Sequence, residues 1–338
     1  MATPAPISID DITALDASAL SQAIHARSVS CRAVMQAYLA RIQRLNPRYN
    51  ALVSLRPEDD LLADADACDA ELERGQSRGW MHGMPQAIKD LSNAAGLPTT
   101  LGSPLMRGFV ANEDGLMVAR MKAAGCIVIG KSNTPEFGLG SHTFNPVFGT
   151  TLNAYDPARS AGGSSGGAAV ALALRLLPVA DGSDFMGSLR NPAAWANIFG
   201  FRPSQGRVPM WPAQDVWISQ LGTEGPMGRS VRDLQRLLAT QAGWSPNAPL
   251  SIAEGAYPEM AGGLFDVKST RIAWLADLDG YLPMEPGILD ICAQGLRRLE
   301  SLGCSVQPCA LGMPPERVWQ AWLVWRRVLV ASRIAPFL

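Results

Sequence analysis

Helical and strand-like hydrophobic patterns alternate along most of the chain. The clearest helix follows Ser30, a capping residue, and should end at Asn46-Pro47; its predicted apolar face consists of Val34, Tyr38, Ile42 and Leu45. Further helices are predicted over 57–74, 115–124, 168–177 and 230–242. Apolar runs between them predict strands over 51–55, 84–89, 126–129 and 179–181. This alternation is typical of an α/β protein, and we expect a mixed, largely parallel sheet with helices on both faces.

The pattern loosens after Pro203 and becomes strongly apolar near the end of the chain. Strands are predicted over 271–276 and 304–311, and helices over 286–302 and 314–330. The last helix is rich in tryptophan, valine and leucine, and a helix that apolar normally packs on more than one side. Because the chain stops soon after this helix, we expect the helix to be only half covered, which would favour self-association.

The candidate chemistry lies in the middle of the chain, between Ser160 and Pro203. A glycine-serine loop over 162–167 precedes one apolar helix, and a tight turn over 182–190 contains Ser188. Glycine-rich turns at the ends of regular elements leave serine hydroxyls and backbone N–H groups exposed. Nucleophilic catalysis needs both, the hydroxyl as nucleophile and the N–H groups to bind the developing oxyanion.

Three mechanisms compete for these serines, and two of them fail on the sequence. A phosphate-binding P-loop requires Lys and Ser/Thr where Ala168 and Ala169 stand. The nucleophile elbow of α/β-hydrolases matches the glycine-serine loop but needs a histidine after the serine. The last of the three histidines, His142, precedes Ser164. A serine activated by a lysine remains.

Lysine is scarce in this chain, which narrows the choice of base. Four of the 29 basic residues are lysines, and arginine cannot lose its proton to act as a base. Lys122 falls on a polar helix face and Lys268 in a loop. Lys89 ends one apolar strand and Lys131 follows another, and the carboxyl ends of strands are where open α/β sheets place their sites. The pattern leaves these two as rivals, with Lys89 favoured because it lies inside its apolar run.

The order of several short motifs resembles the amidase signature family. That family includes fatty-acid amide hydrolases, peptide amidases, malonamidases and the glutaminase subunits of tRNA-dependent amidotransferases. The motifs are, in chain order, Gly83 to Asp90, Ile129 to Asn133 with Glu136-Phe137, Phe148-Gly149-Thr150 with Asn153, Gly162 to Gly167, Gly182 to Asp184 with Gly187 to Arg190, Phe201-Arg202-Pro203 with Gly206-Arg207-Val208, and Gly225-Pro226-Met227 with Arg229 to Asp233. Several motifs in one order are far more specific than any single one.

The resemblance implies a catalytic triad of two serines and a lysine. Ser188 would be the nucleophile, Ser164 the bridging serine and Lys89 the general base, which decides against Lys131. The family's bridging serine follows a cis peptide bond, here Gly163–Ser164. A lysine accepts a proton only when it is neutral, and burial in an apolar site favours the neutral form.

The resemblance also implies an oxyanion hole made of backbone N–H groups, here those of Phe185, Met186, Gly187 and Ser188. Ser165 would support the triad by hydrogen bonding. Asp184 and Arg190 would support the turn as an ion pair, with a simple surface pair as the alternative. The family usually has Thr-Gly-Gly-Ser at the nucleophile turn, where this chain has a bulky apolar pair in the first two positions.

We interpret the chain as an amidase that cleaves a small, apolar carboxamide through an acyl-enzyme on Ser188. Trp211 and Trp217 are candidates to line its pocket, with simple core packing as the alternative. Two other functions stay open: a glutamine-hydrolysing subunit of an amidotransferase, which an apolar pocket disfavours, and a truncated, non-catalytic family member. The proton relay needs no metal and no cofactor.

Composition restricts partners and location. A net charge of −1 gives no basic excess for nucleic acid, and the longest apolar stretch, 168–180, is too short to span a membrane. Residues 1–16 lack a basic segment followed by an apolar one, and the six cysteines show no metal spacing and no short disulfide framework. We expect a cytoplasmic protein with reduced thiols and a small-molecule amide as partner, and a homodimer stays open.

A single amidase domain is expected over 1–338. It would comprise a helical amino-terminal part over about 1–75, a catalytic core over about 76–245 and a carboxyl-terminal part from there on. Members of the family are usually longer than this chain. The resemblance therefore implies the amidase signature fold without its carboxyl-terminal portion.

Overall fold

The computed structural model describes residues 9–213, 215–218, 220–253 and 267–337. These residues fall into two compact units, which divide the chain after Tyr257. The expectation about a signal segment concerns residues 1–16, of which 1–8 lie outside the described ranges.

Helices of the first unit are α1 (Ile9–Ala14), α2 (Ala17–His25), α3 (Cys31–Tyr49), α4 (Glu58–Glu73), α5 (Leu116–Ala123), α6 (Gly166–Ala173), α7 (Arg190–Trp195) and α8 (Val231–Gln241). The predicted cap of α3 is confirmed, because the Ser30 hydroxyl accepts from Ala33 N at 3.0 Å. The helix predicted over 168–177 was placed too late: α6 has ended when Arg175 takes a left-handed conformation (φ 57°).

The end of α3 differs from the prediction, because the helix continues past Pro47. Pro47 lacks one N–H, and its position in the last turn limits the loss to that one hydrogen bond. Asn50 then ends the helix in the left-handed conformation, with its N–H donating to Asn46 O at 2.7 Å. The Asn46 side chain turns the chain back by bonding both N–H and C=O of Leu52 at 2.8 Å.

Strands of the first unit are β1 (Leu52–Val53), β2 (Pro85–Lys89), β3 (Ile127–Ser132), β4 (Phe144–Asn145), β5 (Gly149–Thr150), β6 (Val179–Asp184), β7 (Phe199–Gly200) and β8 (Thr223–Gly228). β2 and β3 pair in parallel with α5 between them in sequence, and β1 adds to β3 antiparallel. β6 and β7 both pair antiparallel with β8, and β4 with β5.

The predicted α/β class with mixed pairing is confirmed. Among the described strands, antiparallel pairs outnumber parallel ones, so the parallel share is smaller than the alternation of elements predicted. A parallel pair needs a long crossover connection, which α5 provides between β2 and β3. The alternation of helices and strands in the sequence does not determine whether a later strand pairs parallel or antiparallel.

α6 lies at the centre of the first unit. Residues 166–172 of this helix are all buried, as its uniformly apolar sequence requires, and it packs against β2, β3 and β6. The glycine-serine loop leads directly into α6, and β6 follows it. Both serine-bearing turns are therefore positioned by the same buried helix and by the strand ends next to it.

The second unit contains the parallel strands β9 (Arg271–Trp274) and β10 (Ser305–Pro308) and the helices α9 (Ile288–Ser301) and α10 (Pro315–Ile334). No residue of α9 or α10 is buried, and apolar side chains such as Val324 and Trp325 are exposed. Among the described helices of the chain, none combines the length and hydropathy needed to cross a bilayer.

Candidate active site

A buried lysine surrounded by hydroxyl groups forms the centre of the site. Lys89 is the last residue of β2, and its side chain is fully buried. Its Nζ lies 2.8 Å from Ser164 Oγ, 2.7 Å from Ser165 Oγ and 3.0 Å from Ser183 Oγ. The predicted neighbours Ser164 and Ser165 are brought to Lys89, and Ser183 is a neighbour that the sequence reasoning missed.

The glycine-serine loop before α6 is held from several sides. Its Gly163–Ser164 peptide bond is cis, as the family resemblance implies. The Thr143 hydroxyl donates to Gly162 O at 2.8 Å and accepts from Gly166 N at 3.1 Å, which clamps the two ends of the loop. Gly162 has a positive φ of 76°, and a Cβ there would lie 2.8 Å from Pro192 Cα.

Ser188 lies on the second turn, just before α7, and is nearly buried. The preceding Gly187 has a φ of 105°, a conformation that favours glycine. The two serine-bearing turns are joined, because Ser165 N donates to Ser188 O at 3.3 Å. Within the described residues, no hydrogen bond links the Ser164 and Ser188 hydroxyls. Catalytic hydrogen bonds are often long before substrate binds.

The predicted oxyanion hole needs one correction. Gly187 N–H already donates to Asp184 Oδ1 at 2.7 Å, so it is not available to a substrate oxygen. In the described part of the chain, no hydrogen bond uses the N–H groups of Phe185, Met186 or Ser188. Three of the four predicted donors therefore stay available beside the Ser188 hydroxyl.

Asp184 organises the nucleophile turn from within. Besides Gly187 N, this buried carboxylate accepts from Leu189 N at 3.1 Å, Arg190 Nε at 3.0 Å and Arg202 Nη1 at 2.9 Å. Burial raises its pKa, but the hydrogen bonds from Arg190 and the two backbone N–H groups outweigh burial and hold the pKa at about 2. The predicted Asp184–Arg190 pair is thus part of the turn; Arg202, within the quoted Phe201-Arg202-Pro203 motif, was not assigned this role.

Lys131, the rival base, lies in different surroundings. It falls inside β3 rather than after it, and its buried Nζ contacts Ser92 O and lies 4.0 Å from Asp90 Oδ1. Burial lowers the pKa of Lys131 to about 8, while the charges of Asp90 and Asp181 oppose that shift. The Asp90 carboxylate is also held by the hydroxyl and N–H of Thr100.

The two tryptophans proposed for the pocket are partly exposed, Trp217 more than Trp211. Trp211 O accepts from Leu116 N at 2.8 Å, which places this tryptophan beside the start of α5. No hydrogen bond or ring contact of the described residues joins either tryptophan to the serine-bearing turns. Met186 is half exposed at the turn itself, so it is the better placed apolar side chain.

A group of potential metal ligands lies away from the serines. Cys68 and Glu71 are three residues apart on α4, and their ligand atoms and one of His82 lie within 4.8 Å of one another. Each has other contacts: His82 Nδ1 accepts from Arg78 N, His82 Nε2 contacts Cys68 O, and Glu71 pairs with the Arg78 guanidinium. The cationic guanidinium beside the cluster opposes cation binding.

A cavity of about 440 Å³ lies at the amino end of β3, opposite the strand end that bears Lys131. Three cations line it, and each is already paired: Arg56 with Asp64 at 2.9 Å, and Arg78 and Lys122 with other carboxylates. The cavity is separate from the serine-bearing turns, and its lining has no uncompensated positive charge.

Comparison with known proteins identifies the relatives of this chain. The amidase family model matches residues 33–331. An acylamidase from Rhodococcus erythropolis is 35% identical over 318 residues, which are 92% of this chain and 65% of the relative. A glutamyl-tRNA(Gln) amidotransferase subunit from Acidothermus cellulolyticus is 36% identical over 300 residues, 88% of this chain and 59% of that relative.

Solved structures agree with the sequence relatives. The structure of a bacterial aryl acylamidase of the amidase signature family superposes with a TM-score of 0.88 at 28% identity, covering 96% of this chain and 67% of that one. The structure of the peptide amidase from Stenotrophomonas maltophilia superposes with a TM-score of 0.76 at 31% identity, covering 90% of this chain and 63% of that one. The chain thus spans about two thirds or less of the length of the proteins it matches.

Proposed function

The chain belongs to the amidase family, and we propose that it hydrolyses the C–N bond of small, apolar carboxamides through an acyl-enzyme on Ser188. The observation that supports this most is the buried Lys89 Nζ within hydrogen-bonding distance of Ser164 Oγ, on a loop that is bonded to the Ser188 turn. A buried amine in contact with a serine is the pairing that a lysine base requires.

The three hydroxyls around Lys89, together with the Ser183 carbonyl 3.4 Å from Nζ, orient its lone pair. A neutral amine has two hydrogens and one lone pair. Ser165 Oγ is also positioned to donate to Ser183 O at 3.3 Å, so it accepts one Lys89 hydrogen, and Ser183 accepts the other through Oγ or its carbonyl. The lone pair then faces Ser164, which donates its proton to Lys89.

The reaction follows as two acyl transfers. Lys89 takes the Ser164 proton while Ser164 takes that of Ser188, and Ser188 Oγ forms a bond to the amide carbon. The oxyanion accepts hydrogen bonds from the N–H groups around Phe185, Met186 and Ser188. The C–N bond breaks as the relay returns the proton to the leaving amine. Water then replaces the serine by the same route and releases the carboxylic acid.

Met186 supports an apolar substrate. Its side chain is half exposed beside Ser188, where the family usually has glycine, and Phe185 precedes it. Each methylene buried there contributes at most about 0.8 kcal/mol. Rates across a series of alkyl amides should therefore rise with chain length before falling, and a flat series would contradict the apolar pocket.

Glutamine hydrolysis within an amidotransferase is the second candidate, favoured by the similarity to glutamyl-tRNA(Gln) amidotransferase subunits. Those relatives would share the serines and the lysine, so the triad does not separate the two functions. Hydrolysis of an aryl amide by the purified chain alone supports the first function. Activity on glutamine that exceeds activity on aryl and alkyl amides supports the second.

Labelling with a fluorophosphonate probe, read by intact mass, tests the nucleophile. The wild-type chain should gain one probe adduct, Ser188→Ala should gain none, and Ser164→Ala should react slowly. Ser28→Ala, at an exposed serine far along the sequence, is the matched control and should label like wild type. Labelling that survives Ser188→Ala but is lost in Ser164→Ala would instead identify Ser164 as the nucleophile.

A cytoplasmic location and a homodimer are further parts of the proposal. The six cysteines are free thiols, which agrees with a reducing compartment, and burial raises the pKa of Cys126 to about 12. Exposed apolar side chains on α10 offer a surface for self-association. Light scattering after size exclusion measures the oligomeric state, and a monomer at all concentrations contradicts the dimer.

A further inference from the structure

We infer that Glu224 is a positioning residue that sets the pH range over which Lys89 acts as a base; this rests on the proposed function. Glu224 belongs to β8 and is the residue directly before the Gly225-Pro226-Met227 motif. The family resemblance gave it no role. Its side chain is almost fully buried.

Strand register places Glu224 next to the lysine site. Glu224 on β8 pairs with Ser183 on β6, and paired residues of antiparallel strands project from the same face of the sheet. Ser183 Oγ is one of the three hydroxyls around Lys89 Nζ. From the other side, Ser92 Oγ donates to Glu224 Oε1 at 2.5 Å. Glu224 is therefore fixed by a defined hydrogen bond close to the base.

The charged groups that face Glu224 come from three strands. They are Lys89 on β2, Lys131 on β3 and Asp181 on β6. Asp181 is fully buried and accepts from Lys89 N at 3.0 Å, and Lys131 is 4.0 Å from Asp90. Two amines thus share a buried region with the Asp181 and Glu224 carboxyl groups, and Asp90 lies beside one of those amines.

Glu224 changes charge near neutral pH. Burial raises its pKa to about 7, and Asp181 adds to the rise, while the hydrogen bond from Ser92 and the charges of Lys89 and Lys131 oppose it. The ionised carboxylate favours the ammonium form of Lys89, which cannot accept a proton. The protonated carboxyl group does not. The charge of Glu224 therefore affects how much neutral Lys89 is present.

Removing that charge should shift the acid limb of the pH–rate profile. In Glu224→Gln, Lys89 loses an anionic neighbour, so its neutral form persists to lower pH, and the limb should move down by about 1 pH unit. Ser92→Ala keeps the carboxyl group but removes the donor that favours its ionised form. Its limb should move in the same direction by less.

The experiment measures two profiles from about pH 5 to about pH 9: kcat/KM for 4-nitroacetanilide, and the rate of fluorophosphonate labelling of Ser188. Glu73→Gln, at an exposed glutamate, is the control and should match wild type. Downward shifts in Glu224→Gln and Ser92→Ala support the inference. If the folded variants have lower rates but the acid limbs of their pH–rate profiles do not move, the inference is overturned and Glu224 has a packing role alone.

Failure of the proposed function gives a different result from failure of this inference. If Ser188→Ala still labels, the nucleophile is wrong, whatever the profiles show. If Glu224→Gln does not fold, Ser92→Ala alone decides, because an unmoved limb in that folded variant contradicts the role of Glu224. If 4-nitroacetanilide is not hydrolysed, the acid limb is measured instead from the pH dependence of the fluorophosphonate labelling rate.

Discussion

Lys89 and Lys131 lie on neighbouring parallel strands, both fully buried near the carboxyl ends, yet their surroundings differ in kind. Lys89 Nζ contacts three hydroxyl groups, which accept or donate protons as needed, and lies 3.4 Å from the Ser183 carbonyl. Lys131 Nζ contacts the Ser92 carbonyl and faces the Asp90 carboxylate, which can only accept. Hydroxyl neighbours suit a base that exchanges protons, whereas a carboxylate neighbour suits a fixed ion pair.

Register explains how adjacent strands produce this difference. Lys89 pairs with Ser132 and Lys131 with Ile88, so the two lysines project from opposite faces of the sheet. Lys89 Nζ meets the glycine-serine loop before α6, and Lys131 Nζ meets the segment that follows β2, including Asp90 and Ser92. A shift of one residue along a strand therefore decides which lysine meets the serines.

The largest effect is expected for Lys89→Met. Loss of the base should lower kcat/KM by about 10²–10⁴-fold, because general base catalysis is removed while the serine remains. Lys122→Met is the matched control: this lysine is partly exposed and paired with Asp114, so its loss should leave activity near wild type. Equal activity in Lys89→Met and wild type would break the comparison.

Lys131→Met should instead affect folding. Breaking a buried ion pair by removing one partner leaves Asp90 uncompensated and should lower the free energy of unfolding by about 3 kcal/mol. The double variant Asp90→Asn, Lys131→Met removes both charges and should recover part of that loss. Urea denaturation measures both. A stable Lys131→Met chain with greatly reduced activity would make Lys131 a second catalytic candidate.

The sequence identified both lysines but left them as rivals, and family resemblance rather than pattern made the choice. Strand ends follow from local periodicity, so β2 and β3 were predictable. The hydroxyls around Lys89 and the carbonyl beside Lys131 come from segments distant in the chain, and no local pattern encodes that meeting. Ser183 and Glu224 were missed for the same reason, since their roles arise from the β6–β8 register.

The comparison extends to the carboxylates beside each half of the site. Burial raises the pKa of Asp90, whereas the hydrogen bonds at the Ser188 turn hold that of Asp184 at about 2. A depressed carboxyl pKa contributes stability above the unfolded value of about 3.9 and loses it as pH falls through the folded value. Asp184→Asn should therefore cost about 2 kcal/mol at neutral pH and much less near pH 2.

Acid titration of stability, in wild type and Asp184→Asn, checks this window. The difference between the two chains should shrink between about pH 4 and about pH 2. Arg190→Ala is a milder companion, because its guanidinium is half exposed and Arg202 still contacts Asp184. A difference that stays constant with pH would mean that Asp184 acts through packing and not through its charge.

The smallest expected effect tests how the Lys89 amine is oriented. Ser183→Ala removes the hydroxyl at 3.0 Å and leaves the longer contact to the Ser183 carbonyl at 3.4 Å, so the lone pair is less firmly directed at Ser164. One hydrogen bond of this kind is worth about 1.4 kcal/mol, which corresponds to about a tenfold loss of kcat. KM should stay unchanged, because Ser183 does not contact the substrate in this mechanism, and Ser183→Thr, which keeps a hydroxyl, should recover most of the rate. A rise in KM with kcat unchanged would assign the Ser183 hydroxyl to the substrate pocket, and no recovery with threonine would assign it to packing.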